Sequence, residues 1–108
     1  MDFKEYQEAA KTTAGHAGPS QERMICASLA LCGEAGELAN YVKKGVWHGH
    51  GVLKADIMEE LGDTLWYISE MCEAVGLSLD LVAQFNIDKL KRRYPEGFSE
   101  EASINRKE

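Results

Sequence analysis

Apolar residues recur along this chain at spacings of three and four, the period of a helix that advances about 100° per residue. Ile57, Leu61, Leu65, Ile68, Cys72 and Val75 make the clearest run, and a second run holds Met24, Leu31, Ala35, Leu38, Ala39 and Val42. Shorter runs flank them. Phe3, Tyr6, Ala9 and Ala10 predict a helix over residues 2–13 with Asp2 as its N-cap. Ser20 caps a long helix predicted from about residue 21 to residue 44, and Asp56 and Glu59 have capping-box spacing for a third helix running to about Ala74. Gly76 suits the left-handed position after its end, and Ser78 caps a fourth helix, with Leu77 and Val82 as a staple. That helix stops near Arg93, because Pro95 forces the residue before it out of helical geometry.

The segments between are loops. Residues 14–20 hold two glycines and a proline, and residues 45–53, Gly-Val-Trp-His-Gly-His-Gly-Val-Leu, read as a mobile lid too rich in glycine to be helical. From Glu96 onward the chain is polar, a loosely held tail anchored by Phe98 and Ile104. Helical segments with short joints and no alternating strand pattern predict an all-α fold, an antiparallel four-helix bundle. Ile25, Leu29 and Cys32 lie outside the main stripe of the second helix, which predicts a homo-oligomer, a homodimer or a dimer of dimers.

Size and charge narrow the possibilities. A chain of 108 residues fits a single domain, 1–108, with residues 1–19 as an N-terminal helix and loop and 96–108 as a polar tail. Its 12 basic and 18 acidic residues give a formal charge of −6, which argues against nucleic-acid polymers and anionic membranes as partners. Cys26, Cys32 and Cys72 lack CxxC spacing and sit among apolar residues, so they read as buried free thiols. With no signal-like N-terminus and no apolar run of membrane-spanning length, the expected location is the cytoplasm.

Candidate chemistry lies in two acid pairs. Glu34 and Glu37 on the second helix, and Glu60 and Asp63 on the third, each stand at i, i+3 beside an apolar stripe. Carboxylates at the border of a buried face are costly unless a cation holds them. One such pair is ordinary helix surface; two on adjoining helices can face each other. Oxygen-only ligands suit Mg2+ or Mn2+ and serve zinc or copper poorly, and such sites grip polyphosphates. No histidine lies three or four residues from a motif acid, which disfavours a di-iron bundle.

Gly33-Glu34-Ala35-Gly36-Glu37-Leu38, followed by Glu59-Glu60-Leu61-Gly62-Asp63-Thr64-Leu65-Trp66-Tyr67, resembles the ExxE and ExxD signature of the all-α nucleoside triphosphate pyrophosphohydrolases, in particular the MazG-like branch. Lys43, Lys44 and the run from Asn86 to Pro95 are similar to it as well, and the likeness spans about residues 20–98. The resemblance implies Mg2+-dependent cleavage of a nucleoside triphosphate between the α and β phosphorus atoms, releasing the monophosphate and pyrophosphate, with a house-cleaning role on non-canonical nucleotides in view. It implies Glu34, Glu37, Glu60 and Asp63 as the catalytic metal ligands, and Lys89, beside Asn86, as a neutraliser of phosphate charge. Cations in the last turn of a helix also oppose its dipole, so Lys89 has a purely structural reading too. Trp47, in the lid, is the aromatic best placed to stack on a base. Gly33 stands where the fuller motif carries another acid, as in dCTP-pyrophosphatase-like relatives, and this leaves the general base open. A phosphoribosyl-ATP pyrophosphatase and a non-catalytic nucleotide- or metal-binding oligomerisation module remain as alternatives.

Overall fold

Asp2 opens the first helix by accepting the Glu5 amide at 2.8 Å while the Glu5 carboxylate takes the Asp2 amide at 3.2 Å, a reciprocal cap that satisfies two orphan donors. The computed structural model describes residues 1–106. Its elements are α1 (Phe3–Ala10) with a 3-10 turn (Lys11–Thr13), α2 (Gln21–Trp47), α3 (Lys54–Val75), α4 (Leu79–Arg93) and a short α5 (Glu100–Ile104). Ser20 and Ser78 cap α2 and α4 as their spacing predicts, and Gly76 ends α3 at a φ of 76°. The described residues form no strand, and none of their helices is long and apolar enough to cross a membrane.

Three boundaries differ from expectation, each for a local reason. Helix α2 continues through Gly45, Val46 and Trp47. Gly45 is there for space: a Cβ on it would collide with Val52 and with the Gly51 carbonyl, which fold back across the helix end. Past Trp47 the chain reverses at Gly49, whose φ is 74°, and the His50 and Gly51 amides donate to the carbonyls of Lys44 and Gly45. The connection from His48 to Leu53 is therefore tied to α2 and is not the free lid expected. Helix α3 starts at Lys54 with Leu53 as an N-cap that offers no side-chain acceptor; Asp56 therefore lies inside the first turn and forms no capping box with Glu59, and its carboxylate accepts from Tyr41 instead. In the expected tail, Ser99 caps α5 and Phe98 stacks near Tyr94 at 5.4 Å, while Ile104 is left exposed and residues 107–108 lie outside the described chain.

Helices α2 and α3 form an antiparallel pair, and this pair is the main packing unit. The rungs between them are polar: Arg23 meets Glu70, Glu34 meets Glu60, and Tyr41 meets Asp56. The apolar stripes point elsewhere. Met24 and Val42 on α2, and Leu61 and Val75 on α3, remain more than a third exposed, and Leu29 is 70% exposed. Fully buried apolar residues are few: Ala27, Cys72, Ala74 and Leu79. Helix α4 leans on α1 and only lightly on α3, so a closed four-helix bundle is not completed within one chain. A radius of gyration of 16.9 Å reflects this openness, since a compact domain near this length has about 13 Å.

Helix α1 is fixed less by apolar cover than by one buried amide. Gln7 donates to Glu73 at 2.6 Å and to the Leu77 carbonyl at 3.1 Å, and accepts the Leu79 amide at 2.8 Å, so it pins α1 to the corner between α3 and α4. Of the three thiols, all free, only Cys72 is buried as expected; Cys26 and Cys32 are exposed, since nothing in one chain covers their positions on α2.

Candidate metal centre

The site is built where the middle of α2 meets the second turn of α3. Carboxylate oxygens of Glu34, Glu37 and Glu60 all lie within 4.8 Å of one another. The i, i+3 spacing puts Glu34 and Glu37 on adjoining turns of one face, and antiparallel packing brings Glu60 against them. Glu34 and Glu60 are half-buried, and one oxygen of each, Oε2, is sealed from solvent with no hydrogen-bond partner. Asp63 falls outside that tight group and is exposed, yet its charge acts on both Glu34 and Glu60.

The electrostatics are one-sided. Burial first, then the charges of Glu37, Asp63 and Glu60, push the Glu34 carboxyl above the ordinary carboxylate range. Burial and the charges of Glu37, Asp63, Glu59 and Asp56 do the same to Glu60. Buried carboxylate oxygens without donors are costly. An oxygen-only donor set with orphaned buried lone pairs fits a hard divalent cation, which would satisfy both deficits together.

Neighbouring rungs are satisfied. Arg23 donates from Nε and from its terminal nitrogen to both oxygens of Glu70, at 3.0 and 2.6 Å, and also to the Gly18 carbonyl at 2.6 Å. His16 Nε2 lies 3.3 Å from the same carboxylate. These bonds, led by the one to Arg23, hold the Glu70 carboxyl below its usual range. Neither Arg23 nor Glu70 was foreseen from the sequence; a readable signal was their common face with the motif acids, seven or more residues along each helix. On the other side, the Tyr41 hydroxyl donates to Asp56 at 2.7 Å and accepts the Leu53 amide at 2.9 Å. Tyr6, on α1, also went unforeseen: burial and then the charge of Asp63 push its phenol up.

The remaining expected site residues lie at the end of α2 and on α4. Trp47 is the last residue of α2, not a loop residue, and is 78% exposed. Asn86 is exposed on α4, Lys89 is half-buried there, and no ion pair joins Lys89 to a described acid. Trp66 is a packing residue: its indole N–H donates to Thr13 at 2.8 Å and its ring meets Tyr67 edge-on at 5.0 Å.

Both acid pairs and the whole of α4 lie within residues 25–98, the segment that the MazG nucleotide pyrophosphohydrolase domain matches. The chain belongs to the MazG family. It is also 36% identical over 109 residues to the Gene 37 protein of Mycobacterium phage L5, an alignment covering 94% of this chain and 96% of that protein. No solved structure matches it. Membership points to hydrolysis at the phosphates of a nucleotide, and the carboxylate cluster is the part of this MazG chain whose chemistry answers to that. Arg23 and all of α1, including Gln7 and Tyr6, lie before the matched segment.

Proposed function

We propose that this chain is a Mg2+-dependent nucleoside triphosphate pyrophosphohydrolase that releases the monophosphate and pyrophosphate. The observation that carries this reading is the convergence of Glu34, Glu37 and Glu60 with two buried oxygens lacking any partner, in a chain of the MazG family. Glu34, Glu37, Glu60 and Asp63 would hold the cation, Mg2+ or Mn2+. When bound, that cation supplies charge neutralisation for the triphosphate and lowers the pKa of an attacking water. The chain's own part is to fix the carboxylates on two rigid helices before substrate arrives, so that little reorganisation accompanies the reaction. Gly33 offers no extra acid, so a proton leaving the water goes to one of these carboxylates.

Assembly belongs to the same reading. The half-exposed stripes of α2 and α3 and the exposed Leu81 and Phe85 of α4 favour a homodimer or a dimer of dimers, in which a second copy completes the bundle. Such an assembly is also the route by which Asn86 and Lys89 would reach phosphates, since α4 makes few contacts with α2 within one chain, and Trp47 at the end of α2 would stack on the base. Three free thiols agree with a reducing cytoplasm.

The test is incubation of pure protein with Mg2+ and a panel of canonical and modified nucleoside triphosphates. Pyrophosphate and monophosphate are the expected products. Binding without turnover across the panel would contradict the enzyme and favour a nucleotide-binding module, and turnover confined to phosphoribosyl-ATP would move the substrate assignment.

A further inference from the structure

We infer that Tyr41 is a positioning residue for the carboxylate site, acting through Asp56 and the first turn of α3. This rests on reading Glu34, Glu37 and Glu60 as a cation site. Tyr41 follows Glu37 by four residues and Glu34 by seven, and Asp56 precedes Glu60 by four, so the pair is the next rung of the same α2–α3 interface. One phenol serves both sides of the joint: its hydrogen goes to Asp56 at 2.7 Å and its oxygen takes the Leu53 amide at 2.9 Å. That amide belongs to the N-cap of α3, where the N-cap residue itself offers no acceptor. The hydroxyl thus uses its donor and an acceptor position on a turn that the local sequence leaves uncapped.

Two consequences reach the site. The turn held by Tyr41 is the one from which α3 runs directly to Glu60, so the clamp fixes where the Glu60 carboxylate stands relative to Glu34 and Glu37. The same bond holds Asp56, whose charge already acts on Glu60, in a hydrogen bond with Tyr41. It also completes the tether of the connection, after the His50 and Gly51 amides on α2 and Val52 against Gly45. Phenylalanine at position 41 would keep the ring while removing both hydrogen bonds.

The experiment is Mn2+ binding to the nucleotide-free protein, read by electron paramagnetic resonance, for wild type, Tyr41→Phe, Asp56→Asn and Asp56→Ala. Groups hydrogen-bonded directly to metal ligands typically carry about 10- to 100-fold in affinity; Tyr41 and Asp56 act on Glu60 through the helix turn instead, so Tyr41→Phe and Asp56→Ala are expected to weaken Mn2+ by about tenfold, the lower end of that range. Asp56→Asn, which still accepts the phenol, is expected to stay within about twofold of wild type. A merely structural tyrosine would lower the melting temperature and speed exchange of the Leu53 amide while leaving Mn2+ affinity unchanged, and that result overturns the inference. Equal losses in Asp56→Asn and Asp56→Ala also overturn it, since they would assign the effect to charge; this pair decides the matter even if Tyr41→Phe does not fold. Wild-type protein that binds no Mn2+ would remove the cation site itself, a failure distinct from wild-type binding that Tyr41→Phe leaves intact.

Discussion

Glu60 and Glu70 stand on the same face of α3, both turned toward α2, and their environments have opposite signs. Glu70 meets a guanidinium that donates to both its oxygens, and its carboxyl is held low. Glu60 meets only other acids, keeps an oxygen without a partner, and its carboxyl is pushed up. One end of the helix pair is thus completed by the chain itself. The other is left short of positive charge, and that shortage, not acidity alone, marks a place prepared for a cation.

The largest expected effect comes from making the second end resemble neutral surface. Glu60→Gln should lower pyrophosphate release by more than about a hundredfold, beyond the usual cost of residues that only support a metal ligand. Near-normal turnover in that variant would break the contrast between the two glutamates.

Next comes the opposite manipulation, applied to the satisfied end. Arg23→Met leaves Glu70 almost enclosed, at 8% exposure, and without its main partner. Breaking a buried pair in this way costs about 3 kcal/mol, so denaturant unfolding should show a loss of that order. Adding Glu70→Leu should recover much of it, because apolar replacement of both partners removes the unpaired charge. Equal instability in the single and double variants would assign the effect to Arg23's bond with the Gly18 carbonyl instead.

A smaller effect separates the two ends by pH. Glu34 and Glu60 have raised carboxyls, so the metal-free folded chain takes up protons more readily than the unfolded one and gains stability as pH falls from neutral toward the ordinary carboxylate range. Glu70 has a lowered carboxyl, so its contribution is present above the ordinary value and is lost as pH falls through the folded one. Thermal melts without metal should therefore rise and then fall on acidification, and Glu60→Gln should flatten the rising limb alone. A monotonic fall in the wild type would contradict the assignment of the raised groups.

Much of the helical layout was readable beforehand because caps and breakers act locally: Asp2, Ser20, Ser78 and Gly76 do what their side chains or lack of one dictate. Acid pairs at i, i+3 were readable for the same reason. Periodicity shows which residues share a face but not which face meets the neighbouring helix. The Leu61 stripe therefore reads as core, whereas Cys72 alone of it is buried, Leu61 and Val75 are exposed, and the α2–α3 interface carries Arg23, Glu34, Tyr41 and their partners. Gly45 looked like a breaker; its role is to admit Val52. Asp56 looked like a cap, and only three-dimensional proximity reveals Tyr41 as its partner. The standing-off of α4 leaves Asn86 and Lys89 without a legible relation to the acids in one chain.

The most direct measurement of the central claim is the melting temperature at neutral pH of wild type and Glu60→Gln, each titrated with Mg2+. Ligands that bind only the folded state raise its stability by mass action. A chain built to hold a cation here melts low without metal and climbs with Mg2+, and its Glu60→Gln variant starts higher and responds weakly. A wild type indifferent to Mg2+, or a variant less stable than wild type in metal-free buffer, would contradict that claim.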